Sequence, residues 1–393
     1  MNIKTSDRVQ RVKPSPTLAV TALANQLRAQ GRDVIGLAAG EPDFGTPDHI
    51  KAAAIKAIQD GFTKYTAVDG TAGLKQAIIN KFERDNGLAY NPDQILVSTG
   101  GKQVIYNMFQ ALLNAGDEVI IPAPYWVSYP DMVKLADAEP IIVNGDIKQA
   151  FKITAEQLEA AITKKTKLFI LNSPSNPSGK AYTRDELKAL SDVLLKHPQI
   201  VILTDDIYEH IIWTAEGFNN ILNVCPELQD RTVMLNGVSK AYSMTGWRIG
   251  YGAGPADLIK AMKKVQSQST SNPCSIAQAA AQAALEGDQS FLKTMCDTFK
   301  ERHDYVLHRL NSMDDVDCLA SDGTFYSFPS FHAVIERMDD IENDVQLAEY
   351  LLEKAEVAVV PGSAFGSEGH LRLSYATDMG SLEKALTRIA AAI

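Results

Sequence analysis

Residues 232–251 read Thr-Val-Met-Leu-Asn-Gly-Val-Ser-Lys-Ala-Tyr-Ser-Met-Thr-Gly-Trp-Arg-Ile-Gly-Tyr. The stretch opens as an apolar strand and runs into Ser239-Lys240, where an ammonium is out of place. Burial lowers a lysine's pKa and makes its amine a candidate nucleophile for imine formation. Eight residues later stands Arg248, whose planar fork suits a phosphate. Each has a plainer reading when taken alone. Lys240 is then a lysine snorkelling from a strand end, and Arg248 one half of a surface ion pair.

Working outward, the same alternation recurs along the chain. Strands are expected at Ile95–Ser98, Glu118–Ile121, Lys167–Leu171, Val201–Thr204, Thr232–Leu235 and Arg248–Ala253. All are short, rich in Ile, Val and Leu, and bounded by Gly, Pro, Asn or Asp. Arg184–Lys196 reads as an amphipathic crossover helix between two of them. Apolar strands without clean alternation suit a mostly parallel sheet covered by helices on both faces. After about Pro255 the pattern turns helical, with a long amphipathic stretch at Gln289–Asn311. Strands at Thr324–Phe328, Val357–Val360 and Leu371–Ser374 and a helix after Gly380 then suggest a smaller α+β unit. We therefore expect an α/β chain with a large domain over 45–290. Residues 1–44 and 291–393 would form a small α+β domain.

Functional side chains are expected at strand ends, where ligands of open α/β sheets bind. Thr99-Gly100-Gly101-Lys102 follows a strand and opens a helix, a place where free N–H groups can meet an anion. By itself it is equally a tight turn. Asn172-Ser-Pro-Ser-Asn176-Pro177-Ser178-Gly179 follows another strand and could hold amide side chains outside the sheet, or be an ordinary turn. Asp205 and Asp206 end the strand Val-Ile-Leu-Thr, where a carboxylate is costly without a cation or donor, unless it caps a helix. Together, an amine, a carboxylate, amides, a glycine turn and an arginine are what pyridoxal phosphate requires of a protein.

Composition narrows the field. The 393 residues carry 38 Lys and Arg against 48 Asp and Glu, a net charge of −10. Such a chain lacks the basic face that nucleic acid needs. The longest uncharged stretch, Val265–Leu285, is interrupted by Gln, Ser, Asn and Pro, so no membrane span is expected. The N-terminus has no apolar core of a signal peptide. None of Cys225, Cys274, Cys296 and Cys318 are in CxxC spacing, so no metal site is expected and reduced cytoplasmic thiols are.

The stretches KPSPTLAV, LAAGEPDFGTP, KYTAVDG, GGKQVIYNMFQALL, PAPYWVSYPDM, NSPSNPSG, DDIYEH, SKAYSMTGWRIGY, VVPGSAFG and LRLSYA occur in one order across the chain. In these it resembles the fold-type I pyridoxal-phosphate aminotransferases of class I, and within them the bacterial aspartate/prephenate branch.

The resemblance implies a role for each matching residue. Lys240 would bond the cofactor and then shuttle the substrate's α-proton. Asp205, chosen over Asp206 by the Asp-x-x-Tyr pattern, would hold the pyridine nitrogen's proton. Tyr208 and Asn176 would donate to the phenolic oxygen, and Trp126 would stack on the ring. Ser239, Arg248 and the backbone of Gly101 and Lys102 would hold the phosphate. Tyr65 would reach the phosphate of a neighbouring subunit, which implies a homodimer with shared sites. Arg372 would take the substrate α-carboxylate, near Asn176 and Trp126, with Gly40 in the segment that closes over it. Lys102 and Ser15 would take a distal carboxylate. Trp126 and Arg372 otherwise read as core packing and a solvent-facing strand charge. His210 is given no role.

Two departures stand out. Gly237 lies where many relatives carry a hydroxyl three residues before the lysine, and Asp206 stands where Glu is common. The implied reaction is ping-pong transfer of an amino group between aspartate, or another dicarboxylic amino acid, and 2-oxoglutarate. Prephenate or aromatic amino acids are alternative substrates, and a pyridoxal-phosphate C–S β-lyase is a more distant alternative. An aminotransferase-like transcription regulator would need an added basic domain.

Overall fold

The computed structural model describes residues 3–14 and 16–393. Twelve strands are present among these. Ile35–Gly36 is β1, Ile95–Ser98 β2, Glu118–Ala123 β3, Glu139–Asn144 β4, Thr166–Asn172 β5 and Val201–Asp205 β6. Thr232–Gly237 is β7, Gly250–Ala253 β8, Tyr326–Ser327 β9, Val357–Ala358 β10, Val360–Pro361 β11 and Leu371–Ser374 β12. Seven form one sheet in the order β2-β8-β7-β6-β5-β3-β4. Only β8 runs antiparallel to its neighbours, so the carboxyl ends of β2, β3, β5, β6 and β7 share one edge.

Successive strand residues face opposite sides, so each strand feeds two cores. Leu96, Ile121, Ile170, Leu203 and Leu235 pack one face against Val104, Met108, Val133 and Met262 from three helices. Ile95, Val97, Phe169, Leu171 and Met234 pack the other against Ile50, Leu74, Phe82, Leu190 and Ala281. A separate cluster is built mainly from the C-terminal part of the chain, including Phe299, Val306, Phe325, Leu347, Leu373 and Leu386. It surrounds the small antiparallel sheet β11-β12-β9. The helix Ser290–Leu310 contributes to this cluster, and Leu37, Tyr208 and Ile211 pack into it from elsewhere in the chain.

The mostly parallel sheet flanked by helices and the smaller α+β part follow the sequence expectation. The helix at 184–196 is found as Arg184–Lys196. Three details differ. An edge strand, β4, was not anticipated; it contains Pro140 and is only half-buried, so it lacks the continuous apolar signal of its neighbours. Arg248 is not in a strand: its φ is 57°, and β8 begins at Gly250. The expected strand over 357–360 is two short ones, β10 pairing with β1 and β11 with β12.

Candidate active site

A cavity of about 420 Å³ opens at the shared carboxyl edge of the large sheet. Gly40, Gly101, Lys102, Trp126, Asn176, Asp205, Tyr208, Ser239, Lys240, Arg248 and Arg372 all line it. Two of the residues expected at the site are not among its walls. Tyr65 stands away from it, 92% exposed. Ser15 lies outside the described residues.

The cavity is built by strands that stop at its floor. β6 ends at Asp205, whose buried carboxylate accepts from the Tyr129 hydroxyl at 2.6 Å and from the Ile207 N–H at 3.4 Å. Burial raises its pKa to about 6, with the Tyr129 bond opposing the shift. Asn172, ending β5, donates to the Asp205 carbonyl at 2.9 Å and accepts from the Asn176 N–H at 3.0 Å. One amide thus ties the Asn176 loop to the floor.

Asp206 faces away from the cavity's walls. Thr204 donates to it at 2.6 Å and Asn220 also donates to it. Below, Lys81 pairs with Glu209, which also accepts from Asn86 and Asn236 at 2.8 and 2.7 Å. His210, partly buried, sits beside the exposed Asp85 at the rim of this network. These contacts pin residues 206–210 and so aim Tyr208.

β7 ends at Gly237, and Lys240 follows three residues on. Its Nζ donates to the Gly40 carbonyl at 2.5 Å. Burial, reinforced by the Arg372 charge, lowers its pKa to about 8. A sizeable share of the amine is therefore neutral at mildly alkaline pH.

Arg248 is reached by the left-handed backbone turn that the strand expectation missed. Its Nη1 donates to the Thr245 carbonyl at 2.8 Å. The guanidinium packs on Gly100, where an added Cβ would lie 2.2 Å from Nη2. Gly250 makes the matching approach: its Cβ would lie 2.2 Å from the Gly101 nitrogen. Only glycine permits both contacts. Beside them the helix Gly101–Leu112 begins, and its first N–H groups have no partner within the helix. Ser239, Arg248 and that helix start form a set of donors suited to a phosphate dianion.

Arg372 lies on β12 and is buried. It donates to Asn176 Oδ1 at 2.9 Å and to the Ala38 carbonyl at 2.7 Å, and its Nε has no partner. The solvent-facing alternative for this residue is excluded. Lys102 reaches over the Trp126 ring at 4.9 Å in the open part of the cavity. Burial and the nearby Arg248 charge both lower its pKa. Lys102, Lys240, Arg248 and Arg372 form no ion pair among the described residues, so four cations face one cavity in a chain of net charge −10.

Three wall residues escaped the sequence reading. Tyr129 follows Trp126 in the quoted PAPYWVSYPDM stretch but carries no composition signal of its own. Tyr326 meets Tyr208 through their hydroxyls at 2.9 Å. Glu41 accepts from Thr245 at 2.6 Å; its place directly after Gly40 was the available clue.

Residues 32–389 match the family aminotransferase class I and II. The aspartate/prephenate aminotransferase of Nitrosomonas europaea is 58% identical over 393 residues, covering 99% of each chain. The solved aspartate aminotransferase from Rhizobium meliloti is 49% identical with a TM-score of 0.96, covering 100% of this chain and 99% of that one. The aspartate aminotransferase from Thermus thermophilus with maleate is 42% identical with a TM-score of 0.94, and each chain is covered completely. The chain belongs to the class I and II aminotransferases, and it is an aminotransferase of the fold-type I architecture.

Proposed function

We propose that the chain moves the amino group between aspartate and 2-oxoglutarate with pyridoxal phosphate held in the cavity. The observation that carries this reading is the meeting of the four cations and the buried Asp205 in one cavity. When bound, pyridoxal phosphate supplies a carbonyl for amine capture and a ring that accepts the electrons left when the α-carbon loses its proton.

The donor set fits the cofactor at both ends. Ser239, Arg248 and the N–H groups of Gly101 and Lys102 would hold the phosphate. Asp205 would face the ring nitrogen and hold its proton, Trp126 would cover the ring, and Tyr208 with Asn176 would meet the phenolic oxygen. Lys240, buried and of lowered pKa, would provide the amine that bonds the carbonyl carbon, the carbonyl oxygen leaving as water. The same Nζ, held in the cavity, would be the base that takes and holds the substrate's α-proton. Its confinement makes that transfer effectively unimolecular.

Arg372 holds the α-carboxylate with a guanidinium already fixed by Asn176 and Ala38. Lys102 meets the distal carboxylate of a four- or five-carbon substrate. The Thermus relative, described with the dicarboxylate maleate, supports that chemistry. The Nitrosomonas relative, named for aspartate and prephenate, supports prephenate as a second substrate, since its carboxylate beyond the 2-oxo side chain suits the same lysine.

The reading also includes a homodimer. Ile55, Ile58, Phe62 and Tyr65 are exposed near one another in sequence, an apolar surface that a second copy would cover while Tyr65 reached its phosphate site. The separate hydrophobic clusters support a large domain over 45–290 and a small one formed by 1–44 and 291–393. The four free cysteines support a reducing, cytoplasmic setting.

Lys240→Ala tests the whole. Reconstituted with pyridoxal phosphate, the parent chain is expected to show a protein-linked absorbance band and to convert aspartate with 2-oxoglutarate. The variant should show neither, and normal turnover by it would sink the assignment.

A further inference from the structure

Tyr326 stands where the two ends of the cavity meet. Its hydroxyl lies 2.9 Å from that of Tyr208, and the two rings pack edge to face. Its ring lies beneath Arg372, with Cζ 4.5 Å from the centroid. The hydroxyl also faces Gly40, where an added Cβ would lie 3.1 Å away. The carbonyl of that same glycine accepts from Lys240.

The backbone holds Tyr326 firmly. It pairs with Ser374 across the small sheet, and its carbonyl accepts from Ser321 at 2.8 Å. The side chain is fully buried. Neither contact of this residue is therefore a chance surface encounter.

We propose that Tyr326 is a positioning residue: its hydroxyl donates to Tyr208, leaving the Tyr208 proton to point into the cavity, while its ring fixes the Arg372 guanidinium. This rests on the reading that Tyr208 meets the phenolic oxygen of pyridoxal phosphate. Each hydroxyl has one proton, so Tyr208 could not serve that oxygen if it donated to Tyr326 instead. The direction of the bond has a physical cause. Burial raises both phenols and the Arg372 charge lowers both, but that charge weighs more on Tyr326, whose ring it overlies, while the nearby Asp205 raises Tyr208 further, so Tyr326 is the more acidic of the two and the better donor.

A hydroxyl that accepts one hydrogen bond donates a stronger one. Tyr326 thus strengthens the donation of Tyr208 to the cofactor oxygen and withdraws electron density from it. That disfavours protonation of the adjoining nitrogen contributed by Lys240, so the parent chain should take up that proton at a lower pH than a chain without the Tyr326 hydroxyl.

Tyr326→Phe is the test, because phenylalanine keeps the ring, its packing and its contact with Arg372. The full chain is loaded with pyridoxal phosphate and its absorbance is titrated with pH. The midpoint is expected to rise by roughly half a unit to one unit. Tyr208→Phe should raise it at least as far, and the double variant should match Tyr208→Phe alone. KM for aspartate should change less than about threefold in Tyr326→Phe but rise about tenfold in Tyr326→Leu, which also removes the ring beneath Arg372. An unmoved midpoint in Tyr326→Phe, or a full additional shift in the double variant, overturns the proposal. If the parent titrates and Tyr326→Phe does not differ, this proposal alone falls. If the parent chain forms no protein-linked chromophore, the reading of the site falls and takes this one with it.

Discussion

The Tyr129 hydroxyl donates to Asp205 Oδ2 at 2.6 Å, and both side chains are buried in the cavity's floor. It is the only side chain among the described residues that donates to that carboxylate. A bond to a charged, buried acceptor contributes about 1.5–3 kcal/mol. Tyr129→Phe should therefore weaken pyridoxal phosphate binding by about tenfold or more, measured by absorbance titration. An unchanged dissociation constant would show that Asp205 does not need this donor.

Asp205 also makes stability depend on pH before any ligand binds. Its folded pKa is raised to about 6 from 3.8. For a raised acid, the favourable contribution is fully present below the unfolded value and is lost as pH rises through the folded one. With the cofactor withheld, Asp205→Asn should thus raise the melting temperature relative to the parent at pH 7.5, with the gap closing towards pH 4. A variant that melts lower at pH 7.5 would contradict the burial argument.

Lys240 gives a kinetic counterpart. Its pKa of about 8 sets the share of neutral amine available for capture. The rate at which the cofactor-free chain captures pyridoxal phosphate should rise with pH and level off above a midpoint near 8. Stopped-flow absorbance reads this directly; a midpoint near 10 would mean that burial does not depress the amine.

Gly250→Ala probes the phosphate cup. The new Cβ would lie 2.2 Å from the Gly101 nitrogen and 2.5 Å from the Gly100 carbonyl carbon, both backbone atoms that cannot swing aside. A loss of about 2 kcal/mol or more of stability is expected, together with weakened inorganic phosphate binding. Thermal melting and a phosphate titration check it, and a variant identical to the parent in both would refute the close approach.

Lys102→Ala separates substrates. Lys102 lies in the open part of the cavity, so water tempers its charge. A loss of about tenfold in kcat/KM with aspartate is expected, against little change with an aromatic amino acid. Equal losses for both would remove its proposed role at the distal carboxylate.

The legible parts of the molecule were those with local signals. Strands β2, β3, β5, β6 and β7 each carry a central apolar run, and the polar residues at or just beyond the carboxyl ends of β2, β5, β6 and β7 stood out against it. Edge strand β4 was missed because a half-buried strand containing Pro140 does not carry that signal. Arg248 was placed in a strand because its neighbours are apolar, whereas its backbone turns left-handed to pack the guanidinium on Gly100. Tyr129 and Tyr326 act through partners 76 and 118 residues away, and no local pattern reports such pairs. The cavity as a whole became readable from sequence only through the family resemblance.

The concentration of cations inside an acidic chain also bears on how ligands arrive. The proposed ligands, aspartate, 2-oxoglutarate and pyridoxal phosphate, are all anions, and from a distance they meet a protein that carries −10 per chain. Only within about 10 Å, the screening distance at 0.1 M salt, do Lys102, Arg248 and Arg372 dominate. Diffusional encounter is therefore slowed by the exterior, while residence is lengthened by the interior. Raising ionic strength from very low values should first hasten association and, at higher values, hasten escape, so affinity and arrival rate should respond to salt in opposite directions.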